Sequence, residues 1–281
     1  MTDRDLPRTT VVIPVWDRYV ALRFSEALES ILSQEVEVDV VVVDNASHLP
    51  LPDLPGIRLV LRTEQRISLG AARNLGLEHV ETETVVFADA DDIMLPGTIR
   101  RLQGALDSRP ELVAFACAFV DAETGQRHRW PRPWVATLTR FPTLMALINA
   151  VWAIYPITGP VLIRTGVARE VGGHADVDNG DARSLGAALL FRGPVGWSEE
   201  PGWLYHRRLG SNLDRFSTPL GLLSSDRTVR ARLRSDFGGP GWLPRVLPLI
   251  ATAQYAAVAA HTLLSWLRPA AGRVARAARR R

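Results

Sequence analysis

Asp89, Asp91 and Asp92 place three carboxylates within four positions, directly after the apolar run Val85-Val86-Phe87. Hard oxygen ligands at that spacing suit Mg²⁺ or Mn²⁺, which also binds phosphate oxygens. A metal–diphosphate site is the chemistry they could do. An acidic turn ahead of the next helix is the competing reading, because Leu95-Pro96-Gly97 follows at once. Which holds depends on where the carboxylates point. A run of Val and Phe reads as a strand covered on both faces. In open α/β sheets the ligand crevice lies outside the carboxyl ends of such strands. Two more apolar runs end in polar residues: Thr9 to Val15 ahead of Trp16-Asp17-Arg18, and Glu37 to Val43 ahead of Asp44-Asn45-Ala46-Ser47.

The elements that would carry these residues alternate. After the first strand, Tyr19 to Leu32 has helical spacing of apolar residues. Pro14, near that strand's end, should stop further ladder pairing there. After the second strand comes a Pro-rich loop, Leu49 to Pro55, and a short strand from Ile57 to Leu61. Ser68 to Val80 reads as a helix with Ser68 as N-cap. The strand Val85 to Asp92 leads to a helix from about Pro96 to Asp107 and a further strand, Glu111 to Asp121. That order predicts an α/β fold with a largely parallel sheet. Beyond Glu123 the pattern loosens. A helix is predicted over Leu144 to Trp152, a strand over Gly159 to Arg164, and a short helix over Thr165 to Val171, broken by Gly172-Gly173. An acidic loop (Asp176, Asp178, Asp181), an apolar helix from Ala182 to Phe191 and a strand or hairpin over Val195 to Arg208 follow.

The chain has 281 residues, 47% hydrophobic and 22% charged, an ordinary globular composition. All 33 basic residues are Arg, a side chain that grips phosphate bidentately. A net charge of +3 is too small to imply nucleic-acid binding. The single cysteine, Cys117, sits in an apolar strand and permits no disulfide framework, which fits a reducing, cytoplasmic compartment. Residues 1–8 are charged and hold no apolar signal segment.

In order, VVIPVWDR (Val11–Arg18), VVVDNAS (Val41–Ser47), GAARNLGLE (Gly70–Glu78), VVFADADD (Val85–Asp92), REVGG (Arg169–Gly173) and LYHRRLGSN (Leu204–Asn212) resemble the successive motifs of the family 2 glycosyltransferases, GT-A enzymes of inverting type. The resemblance covers about residues 9–212. It implies that Pro14 and Asp17 lie by the nucleotide, and that Asp44 hydrogen-bonds the base, typically uracil. Arg73 is similar to the Arg of the family's A-R-N segment, near the nucleotide. Asp89 and Asp91 match its D-x-D motif, with Asp91 on Mn²⁺ or Mg²⁺ and Asp89 nearer the ribose or the metal. Asp181 matches the catalytic base. Gly180 stands where the family has Glu and the preceding loop is shorter, so Asp178 and Asp176 stay open as alternative bases. Arg208 stands where the family often has His; it could contact the diphosphate, or His206 could take that place. Trp130, Trp134, Trp152 and Tyr155 lie where similar enzymes touch the acceptor.

The implied activity is transfer of a sugar from a nucleoside-diphosphate donor, a UDP-sugar, to a hydroxyl of a glycan, lipid carrier, peptide or small natural product. A nucleotidyltransferase usually needs a Gly-rich basic loop after the first strand, and Trp16-Asp17-Arg18 is not one. A non-catalytic binder of nucleotide sugar or glycan is the alternative from another class, which the Gly180 departure leaves open. The expected organisation is a catalytic domain over 1–240, with a nucleotide half at about 9–121 and an acceptor half at about 122–215, then a tail over 241–281. Val246 to Leu267 has no Asp, Glu or Arg, and Arg-rich residues follow it. Leu249, Ala253, Ala256, Ala260, Leu263 and Leu267 form an apolar stripe there. It should lie against the domain, a second copy or the inner face of a membrane rather than span one.

Overall fold

The computed structural model describes residues 9–52, 55–128, 141–150, 161–206, 219–234 and 239–256. By contact the chain divides into two compact units, Met1–Gly239 and Pro240–Arg281.

The first unit is built on a nine-stranded sheet. Its strands are β1 (Thr9–Val15), β2 (Val38–Asp44), β3 (Leu59–Arg62), β4 (Thr84–Phe87), β5 (Ile93–Met94), β6 (Ala114–Asp121), β7 (Arg127–His128), β8 (Val161–Arg164) and β9 (Val195–Tyr205). The order is β3-β2-β1-β4-β8-β6-β9-β5, with β7 beside β6. The first four strands are parallel. β8 enters antiparallel between β4 and β6, and β9 lies parallel to β6. The sheet is therefore parallel over its first half and mixed beyond it. Because β8 alone is reversed between them, the carboxyl ends of β1, β2, β3, β4, β6 and β9 share one edge.

All seven residues of β1 are buried, as a strand with both faces covered requires. Val11, Ile13, Val15, Val40 and Val42 share a core with Phe24, Leu28 and Ile31 of α2 (Phe24–Leu32) and Ile99, Leu102 and Leu106 of α4 (Thr98–Asp107). On the opposite face, α3 (Leu69–Glu78) comes so close that a Cβ on Gly76 would stand 2.3 Å from Val12 Cγ1. Ser68 caps α3 as expected, its Oγ accepting the Ala71 N–H at 3.1 Å.

Three local expectations are corrected. Asp17–Val20 is already a helical turn, α1, rather than loop, and turn residues 21–23 separate it from α2, so 19–32 is not one helix. Pro14 does not stop the β1 ladder toward β2, which continues to Val15 opposite Asp44. Pairing ends only on the β4 side. There the Val12 carbonyl accepts from Ala88 N–H, and the N–H that Pro14 lacks points the same way. The strand through Val85 stops at Phe87, so Asp89–Asp92 lie in a loop, closed by the Asp92 N–H donating to the Asp89 carbonyl at 3.3 Å.

Among the described residues four further helices belong to this unit: α5 (Pro142–Asn149), α6 (Thr165–Glu170), α7 (Asp181–Leu190) and α8 (Pro219–Arg234). A buried network ties α7 to its neighbours. Arg183 donates to Asp226 of α8 at 2.5 Å and to the Asn149 carbonyl at 2.6 Å, and Arg230 donates to the Ala150 carbonyl at 3.3 Å.

In the second unit a helix, α9, spans 243–256. Leu243 and Leu247 are its buried residues, whereas Leu249, Ala253 and Ala256 of the expected stripe are exposed. Ala260, Leu263 and Leu267 lie outside the described residues. No helix among the described residues is long and apolar enough to cross a membrane.

Candidate active site

The shared edge of strand ends collects most of the carboxylates singled out in the sequence. At the end of β2, Asp44 is buried; its carboxylate accepts the Ser47 N–H at 2.9 Å and stands 3.3 Å from Arg62 Nε. Asn45 is pinned by its amide to both the N–H and the carbonyl of Ile67. Ala46, between Asn45 and Ser47, has φ 58°, a left-handed conformation. At the end of β1, Asp17 accepts the N–H groups of His48 (2.5 Å) and Leu49 (2.8 Å). The Leu49 N–H leads in holding this carboxyl below the ordinary range, against partial desolvation, and His48 adds to it. Asp17 therefore fastens the loop after β2 to the start of α1. Trp16 beside it carries the Arg66 guanidinium over its ring at 4.5 Å.

The loop after β4 holds the D-x-D pair. Asp89 is half-buried and ion-paired to Arg73, and Asp91 is half-buried as well. Asp92 is buried and accepts the His206 N–H at 3.3 Å. Ile93-Met94 then pair with Leu204 and Trp203, so this loop is tied to the end of β9. Among the described residues no three His, Cys, Asp or Glu converge on one point. A divalent cation that takes most of its ligands from phosphate and water needs only one or two carboxylates. Asp91 with Asp89 is such a hard-oxygen set, and it fits.

Arg73 is the centre of the site. It is 6% exposed, on α3, so it is no surface helix residue. One guanidinium nitrogen binds Asp89 and the other binds Asp181 Oδ2 at 2.5 Å. Two acids 92 positions apart thereby share one buried cation. Asp181 opens α7 but does not cap it: the N-cap is Gly180, and the Asp181 carboxylate faces Arg73. Burial would raise the Asp181 carboxyl, but the Arg73 charge, His174 and the Ala182 N–H outweigh it and hold the group well below the usual carboxylate range. Gly180 has φ 84°, which explains why Glu is missing at that position: a side chain there would carry left-handed strain. Gly180→Glu is expected to cost about 1–2 kcal/mol in a urea-denaturation midpoint measurement, although it brings the sequence nearer the family pattern.

The alternative bases are engaged elsewhere. Asp176 accepts from Ser68 Oγ at 2.5 Å, and Asp178 accepts the Leu69 N–H at 2.9 Å, so both fasten the 173–181 loop to the start of α3. Two neighbours of Asp181 and Arg73 were not foreseen. His174 is 3% exposed, its ring edge-on to Phe87 at 4.5 Å, with Nδ1 3.2 Å from Asp181 Oδ2. Asn74 donates to the His174 carbonyl and accepts its N–H. The signal in the sequence is the Arg73-Asn74 pair itself: successive residues of one helix, one on the acid and one on the loop that carries it. Arg208, Trp130, Trp134, Trp152 and Tyr155 lie outside the described residues.

Comparison with known proteins bears on the family and the fold. Residues 10–165 match the model of the family described as Glycosyl transferase family 2. The amylovoran biosynthesis glycosyltransferase AmsE of Erwinia amylovora is 27% identical over 138 residues, 44% of this chain and 49% of that protein. The chain thus spans about half the length of this curated relative. Among solved structures, S. aureus TarS 1-349 in complex with UDP superposes with a TM-score of 0.60 at 15% identity, over 81% of this chain and 66% of that one. The mannosyltransferase PcManGT from Pyrobaculum calidifontis, in complex with GDP-Man and Mn²⁺, gives 0.58 at 18% identity, over 96% and 81%. The fold is thus of GT-A type.

Proposed function

Because the chain belongs to glycosyl transferase family 2, we propose that it moves a sugar from a nucleoside-diphosphate donor to a hydroxyl acceptor with inversion, with Asp181 as general base. The observation that carries the reading is the single buried guanidinium of Arg73, which joins the D-x-D acid Asp89 to Asp181 at the carboxyl edge of the sheet. Proton removal and leaving-group stabilisation must occur on opposite sides of one anomeric carbon. A cation held between the two acids fixes their spacing before substrate arrives.

Each residue then has a task. Asp44 offers a carboxylate to the imino N–H of a base such as uracil, and Pro14 and Asp17 shape the turn beside it. Asp91, with Asp89, holds Mn²⁺ or Mg²⁺. When bound, that ion stabilises charge on the departing diphosphate. Asp181 takes the proton of the attacking hydroxyl. Arg208 is assigned to the diphosphate, and Trp130, Trp134 and Trp152 to the acceptor. UDP in a TarS complex and GDP-Man with Mn²⁺ in a PcManGT complex support a nucleotide-sugar donor and a metal. The lone buried Cys117 agrees with a cytoplasmic setting, and 246–267 is assigned to a membrane surface or a second copy.

The test is donor hydrolysis with a panel of nucleotide sugars, in Mn²⁺ and in chelator. Slow metal-dependent release of nucleoside diphosphate from one donor is expected. Asp91→Ala should lose about a hundredfold or more of it. Failure of every nucleotide sugar to bind in either condition would sink the transferase reading.

A further inference from the structure

The strongest unassigned feature is His174. Its backbone is held on both sides by Asn74: the His174 N–H donates to Asn74 Oδ1 at 2.8 Å, and Asn74 Nδ2 donates to the His174 carbonyl at 2.9 Å. That grip requires the preceding residue to be glycine. A Cβ on Gly173 would stand 2.2 Å from Asn74 Oδ1, and Gly173 also has φ 63°. A second close approach secures the same loop, since a Cβ on Gly70 would meet the Ala175 carbonyl oxygen at 1.8 Å. The ring is packed edge-on to Phe87 at 4.5 Å. Nδ1 lies 3.2 Å from Oδ2 of Asp181, the same oxygen that Arg73 binds. At this distance Nδ1 makes the ion-pair contact but no hydrogen bond in this structure; catalytic hydrogen bonds are often long or poorly aligned before substrate binds. Arg73 and His174 also line a cavity of about 20 Å³, beside Phe87, Val161, Ile163 and Leu185. That is room for about one water. Arg73 Nε and His174 Nε2 make no hydrogen bond to any described residue.

We infer that His174 is a positioning residue for Asp181: a neutral ring whose Nδ1–H, fixed from behind by Phe87 and Asn74, aims the carboxylate so that Oδ1 meets the acceptor hydroxyl. This rests on the reading of Asp181 as base. Tautomer and bridging water follow from one another. With the proton on Nδ1, Nε2 is an acceptor, and a water in the cavity can donate to it while accepting from Arg73 Nε–H. Among the described residues the charged groups facing the ring are Arg73 from α3 and Asp181 from α7, and β4 and β8 present Phe87, Val161 and Ile163. Burial leads in holding the imidazole below its ordinary pKa, against the pull of Asp181, so the ring stays neutral at pH 7.

The experiment has two arms on the full-length protein. In the first, ¹⁵N NMR of the histidine rings, with His174 identified by its loss in His174→Asn, is expected to show a neutral, Nδ1-protonated ring at pH 7. An Nε2-protonated or charged ring would overturn the proposal without touching the transferase reading. In the second, donor hydrolysis is compared in His174→Phe, which keeps the packing on Phe87, and His174→Asn, whose amide can replace the Nδ1–H. The Phe variant should lose about tenfold in kcat at unchanged donor KM. Its acid limb should move to higher pH, because Asp181 has lost a donor; the Asn variant should recover most of both. Wild-type kcat and acid limb in the Phe variant overturn the proposal. So does an equal loss in both variants that follows their melting temperatures. Release of no nucleoside diphosphate by the wild type overturns the transferase reading and the catalytic part of this one together.

Discussion

Arg73→Met is expected to lower the unfolding free energy by about 3–5 kcal/mol at pH 7, the cost of stranding a buried charge by removing its partner. Asp181 is 5% exposed, and among the described residues Arg73 is its only cationic side-chain partner at that pH. The pH dependence should change sign. In the wild type the Asp181 carboxyl is depressed. It contributes stability that is complete above the unfolded carboxylate pKa of about 3.9 and lost as pH falls below it. His174, also depressed, adds a loss that begins as pH falls through about 6.5. In Arg73→Met burial is opposed only by His174 and the Ala182 N–H, without the Arg73 charge that leads the opposition, and the Asp181 pKa is expected to rise above its unfolded value. Its contribution is then complete at low pH and lost as pH rises. The variant should therefore recover part of its deficit between pH 7 and 5, over the range where the wild type weakens. Urea midpoints at several pH values decide this; a deficit that deepens on acidification would show that Asp181 does not depend on Arg73.

Asp181→Asn should reduce kcat for acceptor glycosylation by about 10²–10⁴-fold, the range for a positioned base. Arg73 keeps Asp89 as a partner in this variant, so donor affinity, read by calorimetry with the metal present, should change by less than about threefold. That contrast separates a base from a structural anchor. Loss of donor binding in step with kcat would make Asp181 part of the scaffold of Arg73. Full turnover would return Asp176 and Asp178 to consideration, despite their bonds to Ser68 and Leu69.

What could be read from the chain beforehand follows from what apolar runs encode. Thr9–Val15 and Val38–Asp44 were legible because a strand covered on both faces is mostly apolar, despite Thr9, Thr10 and Asp39, and the polar residue that ends it marks the open edge. An apolar run carries no direction, however. Nothing in Val161-Leu162-Ile163 shows that this strand enters the sheet reversed, between β4 and β6. The break at 21–23 was hidden because Ala21-Leu22-Arg23 contains no Gly or Pro and keeps good helix formers. Asp89 and Asp181 could be recognised by motif; their bridge through Arg73 could not, since it spans 16 residues on one side and 108 on the other. His174 has no periodicity to betray it. Its position depends on Asn74, exactly 100 residues earlier.

The reversed strand also sets an order of events during synthesis. By Phe87 the ribosome has delivered all four parallel strands, and these can pair at once. The outer side of β4, Thr84-Val85-Val86-Phe87, then waits for a partner that begins only at Val161. A growing chain thus carries an open, apolar, uncharged edge through more than seventy further residues, the kind of edge that captures other strands. At about 5–20 residues per second that interval lasts several seconds. Aggregation during expression should therefore respond to translation rate and to a charge placed on that edge more than to the stability of the finished protein.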